Sequence, residues 1–172
     1  SASGLIELFQ ISNDRKYLRS AIHSLLALAK ERQKMSLEEI PHDHWALLAT
    51  AHLFSKQVYL EKNVRKKLVE QVIRITKAMI AVQNKEKNGS MLTGSFHPLG
   101  KITSTASRLE ALISVYPYLA VPHLQTIVLQ AIKLGINLLI RTQIKDGSHK
   151  GAWTRAIAKI NIKPETKELK KF

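Results

Sequence analysis

Residues 41–54 read PHDHWALLATAHLF, two histidines and an aspartate directly ahead of a run that is apolar almost all the way round. A helix with no polar face has to be surrounded by other elements, because no side of it can be left to water. Residues 109–121, LEALISVYPYLAV, are of the same kind. The segments between them differ. Across 58–82, Val64, Leu68, Val72, Ile75, Met79 and Val82 recur at steps of three and four, with Arg65, Lys66, Lys67, Glu70, Arg74 and Lys77 between them. That spacing predicts a one-faced amphipathic helix. Residues 17–30 carry a similar stripe through Leu18, Ile22, Leu25, Leu26 and Ala29, opened by Asn13 or Asp14 as N-cap, and 124–140 form a third, more apolar example. The order is therefore amphipathic, buried, amphipathic, buried, amphipathic, which predicts an all-α fold of helical hairpins with outer and inner helices in alternation.

Composition agrees. The 172 residues suffice for one domain with a core, and seven Gly and five Pro among 45% hydrophobic residues suit a helix-rich chain. Without cysteine there is no disulfide, thiolate metal site or cysteine nucleophile. The stretch SASGLIELF has neither the basic flank nor the long apolar core of a signal peptide, and no run approaches the roughly 20 residues of a membrane span. Compartment stays open. The net charge of +14 is spread over the sequence, so a solvated basic surface is the expectation. With four Phe, four Tyr and two Trp, mostly at apolar positions, a stacking platform for single-stranded nucleic acid is not indicated.

The chain also resembles itself. Leu47-Leu48-Ala49 and Leu109-Glu110-Ala111 open the two buried segments 62 residues apart, and Gln83 and Gln143 close two outer helices 60 residues apart. After each Gln come Asn88-Gly89 or Asp146-Gly147, then Gly94-Ser95-Phe96 or Gly151-Ala152-Trp153. One hairpin of about 60 residues is the repeating unit.

Such hairpins, with Q…NG…GSF and Q…DG…GAW at the crossings and SRLEALISVY opening an inner helix, resemble an α/α-toroid of the six-hairpin glycosidase-like kind. The Gln–Gly–aromatic turn is also similar to that of terpenoid-cyclase and prenyltransferase toroids. The resemblance implies a partial toroid over residues 1–158, of about two and a half to three hairpins where a full ring has about six, followed by a basic polar tail over 159–172. It implies a cavity lined where inner helices begin, at which sugar-processing members carry acids. The positions matching that cavity end include His42, Asp43, His44 and Trp45, then Ser104, Thr105, Arg108 and Glu110, then Trp153 and Arg155. The Asp-rich motif of squalene-type cyclases and the zinc ligands of prenyltransferases are absent from the sequence.

Function is therefore expected at the mouth of the inner helices: binding or processing of a carbohydrate, with Asp43 and Glu110 as the acid pair and His42, His44, Trp45, Arg108, Trp153 and Arg155 around the sugar. Each residue has a plainer role to weigh against this. Asp43 suits an N-cap, Glu110 an ion pair with Arg108, and both tryptophans suit core packing. A metal at His42-Asp43-His44 is disfavoured, since histidines two apart diverge on a helix where ligands four apart share a face, and no cofactor is expected. The rival expectation is a non-enzymatic helical-repeat module binding a partner through its groove or basic outer face. Apolar surface left at an open end would be covered by a second copy or by the rest of the ring.

Overall fold

The computed structural model describes residues 1–40, 42–56, 58–86 and 90–157. Among the described residues six helices carry the fold, α1 (Ala2–Ser12), α2 (Arg15–Arg32), α3 (His44–Ser55), α4 (Lys62–Ala81), α5 (Ile102–Val115) and α6 (Pro122–Thr142), with a 3₁₀ turn at Tyr116–Tyr118. Among the described residues there is no strand, only an isolated bridge between Gln143 and Trp153. The chain is all-α, as the hydrophobic pattern predicts.

Local chemistry sets the boundaries. Asn13 takes a left-handed conformation (φ 54°) and ends α1, its N–H donating to the Phe9 carbonyl at 2.7 Å. One residue on, Asp14 caps α2 by accepting from the Lys16 N–H at 2.9 Å. Pro122 sits at the start of α6, where its missing N–H costs nothing. α5 differs from expectation: it begins at Ile102, seven residues before the apolar run, and stops at Val115 rather than Val121. Pro117 explains the early stop, since it has no N–H for the next helical bond.

The helices stack as two layers. α1, α3 and α5 are successive neighbours in one, α2, α4 and α6 in the other, and each hairpin joins the layers. Between them lies a core in which Leu47 of α3, Ile75 and Met79 of α4, Leu112 and Val115 of α5 and Val128 of α6 are almost wholly buried. A second cluster joins Ile6, Leu25, Leu53 and Leu68 at the α1–α2 end. Truncating any one of these to Ala removes roughly 2–5 kcal/mol. α6 packs Leu124, Val128, Ala131, Ile132, Gly135 and Leu138 inward, yet by length and composition it is long and apolar enough to cross a membrane, which the sequence reading did not foresee.

The internal repeat is a repeat of hydrogen bonds. Gln83 Nε2 donates to the Gly94 carbonyl at 3.1 Å, and Gln143 Nε2 to the Gly151 carbonyl at 2.8 Å. Asn84 exchanges backbone bonds with Gly94 and Ser95 as Ile144 does with Gly151 and Ala152. Both glycines have positive φ, 94° and 88°. The first turn docks on α6: Gln83 Nε2 also reaches the Ala131 carbonyl at 2.8 Å, and a Cβ on Gly94 would overlap the Leu134 carbonyl. Close approach of backbone to backbone is what this glycine is for. An arginine of each later outer helix secures the crossing before it. Arg74 donates to the carbonyls of Arg32 and Met35, and Arg141 to those of Met91 and Thr93, at 2.9 and 2.6 Å. The tail assigned to 159–172 lies outside the described residues.

Candidate functional site

Asp43 is built into the framework. It caps α3, Oδ1 accepting from the Ala46 N–H at 3.0 Å, while Oδ2 takes Arg32 Nη2 at 2.6 Å. Arg32, at the end of α2, is only 6% exposed. With the Gln71 amide oriented to satisfy both its ends, its oxygen accepts from Arg32 Nη1 at 3.1 Å and its nitrogen donates to the Leu25 carbonyl at 3.1 Å. A buried guanidinium, a cap and an amide thus lock α2, α3 and α4 together. Both carboxylate oxygens of Asp43 are committed to this, the plainer of its two expected roles.

Glu110 lies elsewhere. It is exposed, and no ion pair with Arg108 is present among the described residues. It opens onto a cleft of about 440 Å³ whose walls are Trp45, Leu48, Ala51, His52 and Ser55 of α3, and Glu110 and Ser114 of α5, with Ser3 and Tyr118 at the margins. Core packing for Trp45 is overturned: the indole is 67% exposed, because at the second position of α3 it faces away from α4 and the core. Its ring meets His44 with centroids 4.8 Å apart and an interplanar angle of 38°. His52 Nε2 lies 3.0 Å from Glu7 Oε1, tying α3 to α1 at the far end.

A second, smaller cleft of about 170 Å³ lies nearer the helix starts, lined by His44, Thr103, Ser104, Ser107 and Arg108. His44 thus stands opposite the first turns of α5, while His52 and Ser55 stand opposite Glu110, Ser114 and Tyr118. α3 and α5 therefore run parallel, and the two clefts follow one another along the groove between these helices. Arg108 is half-buried and gives Nη1 to the Phe96 carbonyl. Burial lowers its pKa from the ordinary value, and burial together with the Arg108 charge lowers that of His42.

The remaining candidates fall beside the groove. Trp153 is 47% exposed and donates Nε1 to the Leu139 carbonyl at 2.7 Å, which fastens the third crossing onto the end of α6. That replaces the core packing expected of it. Arg155 contributes its carbonyl, which accepts from the Ile102 N–H at 3.3 Å at the start of α5, while its side chain is exposed. Among the described residues, no three His or acidic side chains gather to hold a metal.

The groove thus joins His44, Trp45, Arg108 and Glu110, and leaves Asp43 committed to Arg32. Ser55, Ser114 and Tyr118 join the site unexpected from the sequence, and His52 joins it as a cleft residue where the sequence suggests it only as a metal ligand. Their signal was present: Trp45, Leu48, His52 and Ser55 follow helical spacing along α3, and Glu110 and Ser114 lie four apart on α5. No family model matches the chain, and neither a curated protein nor a solved structure gives a match.

Proposed function

We propose that the groove between α3 and α5 binds a carbohydrate, and that the two-layer array is part of an α/α-toroid. The observation carrying the reading is the exposed Trp45 indole in a cleft whose other groups are mostly hydrogen-bonding: Glu110, His52, Ser55 and Ser114. An aromatic face suits the C–H face of a pyranose, and the surrounding polar groups suit its hydroxyls. Binding is better supported than hydrolysis. Paired-carboxylate chemistry needs two acids free to flank one bond, and Asp43 is held by Arg32 and its cap. The toroid reading draws support from the layer order and from the twice-used Gln–Gly turn.

The test uses Trp153→Phe protein, in which Trp45 is the remaining fluorophore of its kind. Titration with oligosaccharides should change its emission saturably, and Trp45→Ala should abolish binding measured by calorimetry while leaving the unfolding free energy in urea within about 0.5 kcal/mol of the parent, as for an exposed side chain. Equal affinity in the Trp45→Ala protein would refute the reading.

A second reading, a helical-repeat interaction module, is favoured by one observation. Leu129, Ile136 and Ile140 are exposed along one stripe of α6. Under it, charge reversal on the basic face of α4 at Arg65, Lys66 and Lys67 disrupts function, whereas Glu110→Gln does not; a sugar site gives the opposite pattern.

A further inference from the structure

The groove is electrically lopsided. At the end where α3 and α5 begin, Arg108 and His44 line the smaller cleft with the hydroxyl residues Thr103, Ser104 and Ser107. His42 and His97 stand close enough to Arg108 to feel its charge, and His97 also feels that of Lys101. Of the two acids nearby in sequence, Asp43 is turned to Arg32 and the Ala46 N–H, while Glu110 opens onto the larger cleft. The Arg108 guanidinium thus lines a recess that, among the described residues, has no carboxylate in its walls to balance it. A half-buried guanidinium facing a recess with no acid of its own marks a place where an opposite charge is expected from outside. Arg108 keeps donors to offer, since its described hydrogen bond to Phe96 uses Nη1 alone.

We infer that this cleft takes the anionic substituent, a carboxylate or a sulfate ester, of a sugar whose ring lies against Trp45. The inference rests on the carbohydrate reading and sharpens it to acidic saccharides. Arg108 binds the oxyanion through a charge-assisted pair, the Thr103 and Ser104 hydroxyls donate to it, and His44 links the anion end to the indole it touches. A neutral sugar leaves the recess to water and gains only the stacking and hydroxyl contacts.

Three oligosaccharides of equal length separate the possibilities: one neutral, one built of uronic acids, one neutral in backbone but sulfated. Each is titrated into the Trp153→Phe protein while Trp45 emission is read. At least one charged arm should bind about tenfold to a hundredfold more tightly than the neutral arm, and whichever charged arm does so identifies the substituent. Arg108→Met should erase that advantage, so that the charged arms bind no more tightly than the neutral one. Because Arg108 also holds the Phe96 carbonyl, Thr103→Glu, at an exposed position on the rim, serves as a second variant that fills the recess with its own carboxylate. Equal affinity for all three arms overturns the inference, as does an advantage that survives Thr103→Glu, which would place the anion elsewhere on the basic surface. In either case a saturable Trp45 response to the neutral arm still upholds the sugar site. No Trp45 response in any arm defeats both.

Discussion

Asp43→Asn separates a structural from a catalytic aspartate. The asparagine keeps a cap acceptor for the Ala46 N–H, so little is lost there. It replaces an anionic acceptor by an amide opposite Arg32, whose side chain is 7% exposed against 23% for Asp43. Removing one partner of a fully buried pair costs about 3–5 kcal/mol. Partial exposure of Asp43 and the surviving bond from Arg32 to Gln71 reduce this to about 2–3 kcal/mol. With a urea m-value of about 2 kcal/mol/M, the midpoint should fall by about 1–1.5 M. Asp43→Ala should lose about 1 kcal/mol more, because the cap goes too. Equilibrium urea unfolding followed by helical circular dichroism measures both, and Arg32→Met with Asp43→Asn completes a double-mutant cycle. A stability change within about 0.5 kcal/mol for Asp43→Asn, or a coupling energy of that size, would refute the argument.

The glycines of the crossings should diverge sharply under the same measurement. Gly94→Ala drives a methyl into the Leu134 carbonyl and should cost more than about 3 kcal/mol, whereas Gly147, with nothing within 4 Å of its would-be Cβ, should lose only the roughly 1 kcal/mol of its left-handed backbone. Gly135→Ala places a Cβ 2.6 Å from Leu109 Cδ2 and should cost about 1–3 kcal/mol, much of it recovered on adding Leu109→Val, as overlapping effects require. Acidification should destabilise the fold through His42: its folded pKa is lowered by burial and by Arg108, so the neutral form is the one favoured, and its contribution, whole above about pH 6.5, is lost as pH falls through the folded value. His42→Gln should flatten that part of a midpoint-against-pH curve. His97 acts in the same direction, and its Nδ1 accepts the Leu99 N–H at 3.0 Å, a bond its protonated ring cannot keep.

Layering was legible because it depends on period alone. The stripe at Leu68, Val72, Ile75 and Met79 could serve only one face, and α4 buries all four, with Gln71, Thr76, Ala78 and Ile80 beside them, while Val82, past its end, is exposed. The Gln–Gly spacing was legible for a related reason: a side-chain amide donating to the carbonyl of a left-handed glycine is a local device that reads the same in both copies. The Arg32–Asp43–Gln71 lock was not legible. It joins side chains from α2, the start of α3 and α4, and no period or motif relates their positions. Trp45 failed for another reason. In a helix whose neighbours are all apolar, sequence does not tell which angle the two flanking helices leave uncovered, and the indole stands at that angle.

The same distinction separates packing from function in this chain. Gln83, Gly94, Arg74, Arg141 and Asp43 each satisfy a backbone group or allow a close approach, and the fold alone accounts for them. Trp45 covers no core, Glu110 pairs with no described cation, and Arg108, with one bond to Phe96, has no carboxylate partner among the described residues. Stability alone would favour a small polar residue in place of the exposed indole and an acid near Arg108. These three side chains all line the clefts between α3 and α5, as the proposed ligand, with one charged end and one amphipathic ring, requires.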